Sequence, residues 1–68
     1  MTMLKVVEIL AQSEKSWEDA AQLAVHEAAK TVRNIKSIYV KEMEATVEKD
    51  RITYYRVNVK ISFAIEGR

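Results

Sequence analysis

Residues 54–65 read YYRVNVKISFAI, and this stretch decides the fold because apolar and polar side chains alternate along it. The odd positions from Tyr55 to Ile65 are all aromatic or aliphatic, whereas the even positions are mixed and mostly polar. A period of two residues is typical of a β-strand with one buried face and one open face. A strand of about fourteen residues would extend about 48 Å.

A helix is predicted ahead of this strand, from about Trp17 to about Arg33. Ser16 can accept a hydrogen bond from the backbone three residues on, and Asp19 occupies the reciprocal capping position. An alanine-rich apolar arc that includes Trp17 repeats at helical spacing, and Lys30 falls in the last turn together with Arg33. The helix would be about 26 Å long. Because it would cover only part of the long strand, we predict that the protein is a subunit of an assembly.

Two further strands complete the predicted fold. Leu4 to Leu10 is short and rich in β-branched residues. Ser37 to Glu48 has an apolar side that changes near Lys41–Glu42, which indicates a bulge. Residues 48–51 form a tight turn, in which Asp50 is best suited to an unusual backbone angle. The order β-α-β-β predicts an α+β fold, with a three-stranded antiparallel sheet packed on one amphipathic helix. The open face of this sheet would carry Tyr54, Arg56, Asn58 and Lys60.

Size and composition narrow the classes of function. The chain has 68 residues, no cysteine and one histidine, His26, which lies on the polar side of the predicted helix. Disulfides, thiolate metal sites and multi-histidine sites within one subunit are therefore excluded. We interpret residues 1–68 as a single domain, and a domain this small usually needs oligomerisation when disulfides and metals are absent.

Charge and hydropathy bear on partners and location. The net charge is +1, and the two signs are interspersed along the chain, which argues against nucleic acid as a partner. No apolar run is long enough to span a membrane, and the first ten residues do not resemble a cleavable leader. We expect a cytoplasmic protein.

The residues that carry chemistry do not form a catalytic pattern. The sequence has no Ser–His–Asp order, phosphate-binding glycine loop or zinc-ligand spacing, so we expect no enzyme activity. Arg56 stands amid a sheet face, where an arginine should meet a carboxylate, an aromatic ring or water. An inter-subunit contact and a ligand contact are both open for it. Glu42, Glu44 and Glu48 share one strand face, which is either a solvated edge or a hard-cation site that symmetry multiplies.

Four segments, taken in their order and spacing, resemble the dodecin family: KVVEI (5–9), SWEDAAQLAV (16–25), TVRNI (31–35) and YYRVNVKISF (54–63). The resemblance implies a hollow homododecamer whose subunits meet at three-fold and two-fold axes. It also implies flavin binding without catalytic turnover. In such proteins flavin rings stack in pairs between symmetry-related tryptophans at a subunit interface, and a glutamine contacts the ring.

Two positions of this family site differ in the present sequence. Ser37 stands where the family has the stacking tryptophan, and Arg56 stands where it has the glutamine. Serine has no π face, so the contribution of ring stacking, about 0.5–1.5 kcal/mol beyond burial, is lost. Tyr39 or Tyr54 could substitute, although neither occupies the matching position. Glu42 matches an acidic position of the flavin-binding members. We therefore expect that flavin does not bind in the usual stacked mode.

The resulting prediction is a dodecin-like homododecamer that binds or stores a small ligand without catalysis. The ligand could be an altered flavin or other aromatic, an anion at Arg56, or a divalent cation. One alternative is a calcium-binding dodecin variant, since members that lack the tryptophan and carry arginine at the position of Arg56 look like calcium dodecins. The other is a purely structural hollow assembly. The candidate ligand-binding residues are Ser37, Glu42, Tyr54 and Arg56, and any metal ligands stay unassigned.

Overall fold

The computed structural model describes residues 3–65, and their elements follow the order predicted from the sequence. These elements are strand β1 (Met3–Ser13), helix α1 (Trp17–Ala28), strand β2 (Ile35–Glu48) and strand β3 (Arg51–Ile65). The strands form one antiparallel sheet in the order β1-β3-β2, so the long third strand lies in the middle. The predicted α+β fold with a three-stranded antiparallel sheet is confirmed. No helix within residues 3–65 is long and apolar enough to cross a membrane.

The core lies where the middle of β3 meets the helix. Its side chains are small, and all are nearly inaccessible to water: Ala20, Ala24, Ala28, Val57, Val59 and Ile61. The three alanines recur at four-residue spacing on one side of α1, which lets the helix axis lie close to the sheet. Burying one valine or isoleucine contributes about 1.5–3 kcal/mol. The alternation of β3 therefore supplies the fully buried strand side chains of this core, and β1 also packs against the helix.

The helix ends earlier than the sequence predicted. Its last residue is Ala28 rather than a residue near Arg33, so its 12 residues extend about 18 Å. The two residues after Lys30 are β-branched and favour a helix weakly, and Asn34 then takes a left-handed φ of 63° that asparagine tolerates better than most residues. The placement of Lys30 and Arg33 in the last helical turn is wrong; His26, exposed as predicted, is the basic residue there.

The bulge predicted in β2 is confirmed. The register between β2 and β3 shifts between Val40 and Glu42, and Lys41 is the extra residue. Before the shift Ile38 and Val40 lie opposite buried residues of β3, and after it Met43 does so as well. The bulge thus keeps the apolar residues of β2 on the helix side, although their spacing in sequence changes parity.

Three strand ends, both ends of β1 and the start of β2, differ from the prediction, whereas the hairpin turn agrees with it. β1 pairs with β3 over Met3–Ser13 rather than over Leu4 to Leu10, and β2 begins at Ile35 rather than at Ser37. In the turn, Lys49 and Asp50 have φ angles of 51° and 64°. Two left-handed residues in succession are the geometry of a type I′ hairpin, so the unusual angle predicted at Asp50 is confirmed.

The sheet extends well beyond the helix. This agrees with the prediction from the sequence, in which the third strand is longer than the helix. The molecule measures 54 × 19 × 13 Å, and α1 packs on β1 and β3 while it barely contacts β2. Many large apolar side chains are exposed in a single copy, some on the helix side where α1 does not reach and others on the opposite face of the sheet. They are Met3, Leu4, Val6, Leu10, Leu23, Tyr39, Val40, Met43, Val47, Ile52 and Ile65.

Candidate functional site

The face of the sheet opposite the helix, which we call the open face, carries side chains in rows of three. Because β3 is the central strand, its even-numbered residues from Arg56 to Ser62 each lie between one residue of β1 and one of β2. The rows are Gln12–Arg56–Glu44, Leu10–Asn58–Glu42, Glu8–Lys60–Tyr39 and Val6–Ser62–Ser37. Successive rows are about 7 Å apart along the strands. The even positions of β3 that the sequence assigned to an open face do lie there.

Arg56 is held from both sides by the residues of its own row. Its Nε and one terminal nitrogen donate to Gln12 Oε1 at 3.2 and 3.1 Å, and the other terminal nitrogen donates to Glu44 Oε2 at 3.1 Å. Because Gln12 and Glu44 are the cross-strand partners of Arg56, the sheet register brings these groups together. Of the partners expected for Arg56, a carboxylate, an aromatic ring or water, the structure shows a carboxylate, and it belongs to the same copy.

A cleft of about 210 Å³ opens beside this row, and we call it the Arg56 cleft. Its lining residues are Leu10, Glu42, Glu44, Arg56 and Asn58. Asn58 Oδ1 is buried and has no hydrogen-bond partner within residues 3–65. An unsatisfied buried acceptor costs about 1–3 kcal/mol. A donor or a cation brought by another molecule would remove this cost.

The four predicted ligand-binding residues are not all close together in one copy. Glu42 and Arg56 both line the Arg56 cleft, and Tyr54 lies one row further along β3, opposite Thr46. Ser37 lies three rows away in the other direction and hydrogen-bonds Ser62. Three rows correspond to about 20 Å. Ser37 can therefore join the other three only through contact between copies.

The carboxylates predicted as a hard-cation site are only partly grouped. Glu42 and Glu44 line the Arg56 cleft. Glu48 lies at the hairpin end of β2, where its cross-strand neighbour on β3 is Arg51. Within residues 3–65 no group of three or more histidine, cysteine, aspartate or glutamate residues could hold a metal ion. Ca²⁺ takes about 6–8 oxygen ligands, so one copy does not supply a complete set.

Two residues of β1 on the open face were missed from the sequence. Gln12 contacts Arg56, and Glu8 Oε2 lies 3.5 Å from Lys41 Nζ, an ion pair that reaches across β3. Both members of this pair are about half exposed, so it contributes little, about 0–1 kcal/mol. Gln12 was missed because the first strand was predicted to end at Leu10. After Leu10 the sequence reads Ala11, Gln12, Ser13 without alternation of polar and apolar residues, so no local pattern indicated that the strand continues.

Trp17 connects the helix to the main chain below the Arg56 cleft. Its Nε1 donates to the carbonyl oxygen of Glu44 at 2.9 Å, and its ring meets Tyr55 edge to face with centroids 4.9 Å apart. Trp17 also packs against the buried core, which confirms its predicted role there. It borders an apolar groove of about 230 Å³ between α1 and β2, which Val40 and Met43 line from the strand side.

Comparisons with known proteins agree on one family. The Dodecin family profile matches residues 3–66. Among curated proteins, calcium dodecin of Mycobacterium tuberculosis is 35% identical over 63 residues, which cover 93% of this chain and 89% of the relative. Dodecin of Thermus thermophilus is 34% identical over 62 residues, which cover 91% of this chain and 90% of the relative.

Solved structures show the same fold. A crystal structure of a protein from T. thermophilus superposes with a TM-score of 0.94 at 31% identity and covers 100% of both chains. The crystal structure of calcium dodecin from M. tuberculosis, which is described as calcium chelating with a novel calcium-binding site, superposes with a TM-score of 0.81 at 34% identity. It covers 94% of this chain and 91% of that one.

Proposed function

This chain belongs to the dodecin family, and from that premise we propose that it forms a homo-oligomer, binds a small ligand on the open face and catalyses no reaction. The family resemblance inferred from the sequence is confirmed. The resemblance implies twelve copies, and we adopt the homododecamer as the assembly to be tested.

Apolar side chains on both sides of the sheet support assembly. On the open face Leu4, Val6 and Leu10 lie along β1 with Glu8 between the last two, and each of the three is more than half exposed in a single copy. On the helix side Val40 and Met43 of β2 are also exposed, because α1 does not cover that strand. Covering such surface contributes about 25 cal/mol per Å². A second copy is a cover of the right chemistry on both sides.

The observation that carries ligand binding is the unpaired Asn58 Oδ1 at the Arg56 cleft. Glu42 lies opposite Asn58 in the same row, and both residues line the cleft. The donors of Arg56 are turned toward Gln12 and Glu44. Asn58 Oδ1 is therefore a buried acceptor that lacks a partner, in a residue that lines the cleft beside an exposed carboxylate, and a ligand that donates hydrogen bonds or carries positive charge would suit both.

Pairing of two open faces would bring the predicted ligand-binding residues together. Ser37 lies in the row of Ser62, and the midpoint between that row and the row of Arg56 falls near Val59. A two-fold axis that crosses β3 at this midpoint would place Ser37 of one copy over the Arg56 row of the other. The ligand would then lie between two copies, with Glu42 and Tyr54 nearby.

A second candidate is a divalent cation in the same cleft. The Glu42 carboxylate and Asn58 Oδ1 are both hard oxygen ligands of the kind that Ca²⁺ binds. A relative that is 35% identical to this chain is named calcium dodecin. The remaining ligands would have to come from other copies, because one copy lacks a complete set. Titration calorimetry with Ca²⁺ and with Mg²⁺ tests this candidate, and no heat at millimolar metal would exclude it.

Native mass spectrometry of freshly purified protein tests the whole proposal in one measurement. The expected spectrum shows a dodecamer that carries additional mass from a retained small ligand. Asn58→Ala should lose that additional mass, because the acceptor that contacts the ligand is removed, whereas Glu48→Gln at the hairpin end should keep it. A dodecamer without ligand that binds neither riboflavin nor a divalent cation would favour the purely structural alternative. A stable 7.8 kDa monomer would refute the proposal.

A further inference from the structure

The contacts of Arg56 bear on which ligands the cleft admits. We propose that Glu44 is the specificity-determining residue of the Arg56 cleft: its carboxylate neutralises Arg56, excludes oxyanions and leaves a site for ligands that donate hydrogen bonds. This inference rests on the proposed function, because it names the chemical class of ligand for the same cleft. It also departs from the expectation that an anion binds at Arg56.

The first argument is the use of the guanidinium donors. Arginine has five N–H groups and no acceptor, and three of its hydrogen bonds here go to Gln12 and Glu44. An oxyanion binds a guanidinium best through two parallel bonds. The parallel pair formed by Nε and one terminal nitrogen is taken by Gln12, so an oxyanion that used the two terminal nitrogens instead would share one of them with the Glu44 carboxylate.

The second argument is that the main chain of Glu44 is held in place beside Arg56. Its carbonyl oxygen accepts the indole N–H of Trp17 from the helix side at 2.9 Å, and its strand is paired with β3 at Arg56. The carboxylate therefore projects from a main chain that is held on two sides. Only rotation of the Glu44 side chain could release Arg56.

The third argument is the balance of charge around the cleft. Its lining residues include two carboxylates, Glu42 and Glu44, and one guanidinium, so the cleft has a net charge of −1. Lys60 lies two rows from Arg56, about 14 Å along the strand, which exceeds the screening length of about 8 Å at physiological salt, so it offsets little of the charge of Glu44 at the Arg56 end of the cleft, although it lies only one row, about 7 Å, from Asn58. Lys41 is paired with Glu8. An oxyanion would thus meet uncompensated negative charge.

Glu44→Gln provides the direct test, because the amide can still accept from Arg56 but no longer neutralises it. The Glu44 side chain is 62% exposed, so the substitution should not disturb folding. The probe is inorganic pyrophosphate, titrated by calorimetry at fixed protein concentration and fixed ionic strength. We expect wild type to bind it weakly and Glu44→Gln to bind it at least about tenfold more tightly, since an opposing charge at hydrogen-bonding distance is removed.

Three matched variants make the outcome decisive. Glu48→Gln removes the same charge from the same strand about 14 Å away, and it should bind like wild type. Glu44→Ala should gain the same affinity for pyrophosphate as Glu44→Gln. Agreement between the two variants shows that the gain comes from loss of the carboxylate and not from the introduced amide. The double variant Glu44→Gln with Arg56→Gln should lose the gain. Equal affinity of wild type and Glu44→Gln, an equal gain in Glu48→Gln, or a gain that survives loss of Arg56 would each overturn the inference.

This outcome can be separated from the fate of the proposed function. Glu44 and Arg56 contact each other within one copy, so the titration is informative whatever the oligomeric state. A native mass spectrum of each variant reports assembly independently. If Glu44→Gln gains no affinity while its dodecamer and retained ligand persist, the inference fails and the proposed function stands.

Discussion

Trp17 and Glu44 join the two sides of the sheet through one hydrogen bond. The indole Nε1 of Trp17 donates to the main-chain carbonyl of Glu44 at 2.9 Å on the helix side, while the carboxylate of Glu44 contacts Arg56 at 3.1 Å on the open face. The first residue of the helix is thus bonded to a residue that lines the Arg56 cleft. A change at Trp17 or at Glu44 should therefore affect the position of β2 at Glu44.

Replacing Trp17 with phenylalanine tests this bond while it keeps an aromatic ring against Tyr55. We expect the free energy of unfolding to fall by about 0.5–1.5 kcal/mol, because one hydrogen bond is lost. Urea unfolding at a fixed protein concentration measures it, since the stability of an oligomer depends on concentration. Gln22→Ala, on the exposed polar side of the helix, is the control and should stay within about 0.5 kcal/mol of wild type. Equal effects of the two changes would contradict the structural role of the bond.

The helix cap at Ser16 is open to a similar measurement. Ser16 Oγ accepts from the backbone N–H of Asp19 at 3.0 Å, and Ser16→Ala should reduce stability by about 1 kcal/mol. Ser16→Asn, which retains an acceptor at the cap, should restore most of the loss. If alanine and asparagine behave alike in chemical unfolding, the cap contributes less than its geometry implies.

The close approach of helix and sheet predicts intolerance of larger side chains. Ala24 is 1% exposed, and Ala24→Leu should reduce stability by about 1–3 kcal/mol because the core would be overpacked. Ala29→Leu, at an exposed position next to the helix end, is the matched control and should be nearly neutral. Thermal unfolding of both variants compares them, and a neutral Ala24→Leu would show that the helix is not held against the sheet.

Assembly through the open face predicts an effect of charge at Leu10. This side chain is 64% exposed in one copy, so Leu10→Lys should leave the fold of the subunit intact and yet shift the oligomer toward smaller species. The physical reason is the cost of burying an unpaired ammonium group. Sedimentation velocity measures the shift. Gln22→Lys, on the exposed polar side of the helix, should sediment like wild type, and an unaltered Leu10→Lys oligomer would place the interface elsewhere.

Flavin binding should be recoverable if the site differs from that of the flavin-binding members only at Ser37 and Arg56. The double variant Ser37→Trp with Arg56→Gln supplies an aromatic face and an amide at the two altered positions. We expect it to quench riboflavin fluorescence and to bind riboflavin about tenfold more tightly than wild type, since aromatic stacking contributes about 0.5–1.5 kcal/mol for each pair. Arg56→Gln alone is the control. An unresponsive double variant would mean that the site differs in more than these two residues.

Elements with a regular local pattern were predicted well. The alternation of β3, the bulge at Lys41, the left-handed angle at Asp50 and the cap at Ser16 all agree with the structure. The end of the helix was not predicted, because an apolar arc continued past Ala28 while the chain had to turn before β2. The periodicity of apolar residues does not by itself show where the helix must end so that β2 can pair with β3.

The sequence by itself determined the fold class, because periodicity of two or of 3.6 residues and the chemistry of turns and caps act between near neighbours. Only the tertiary structure decided the partners of Arg56. Gln12 is 44 positions away from it in the chain, and the two meet because β1 and β3 pair in one particular register. Register arises from packing of the whole sheet against the helix, so it depends on contacts between residues far apart in sequence.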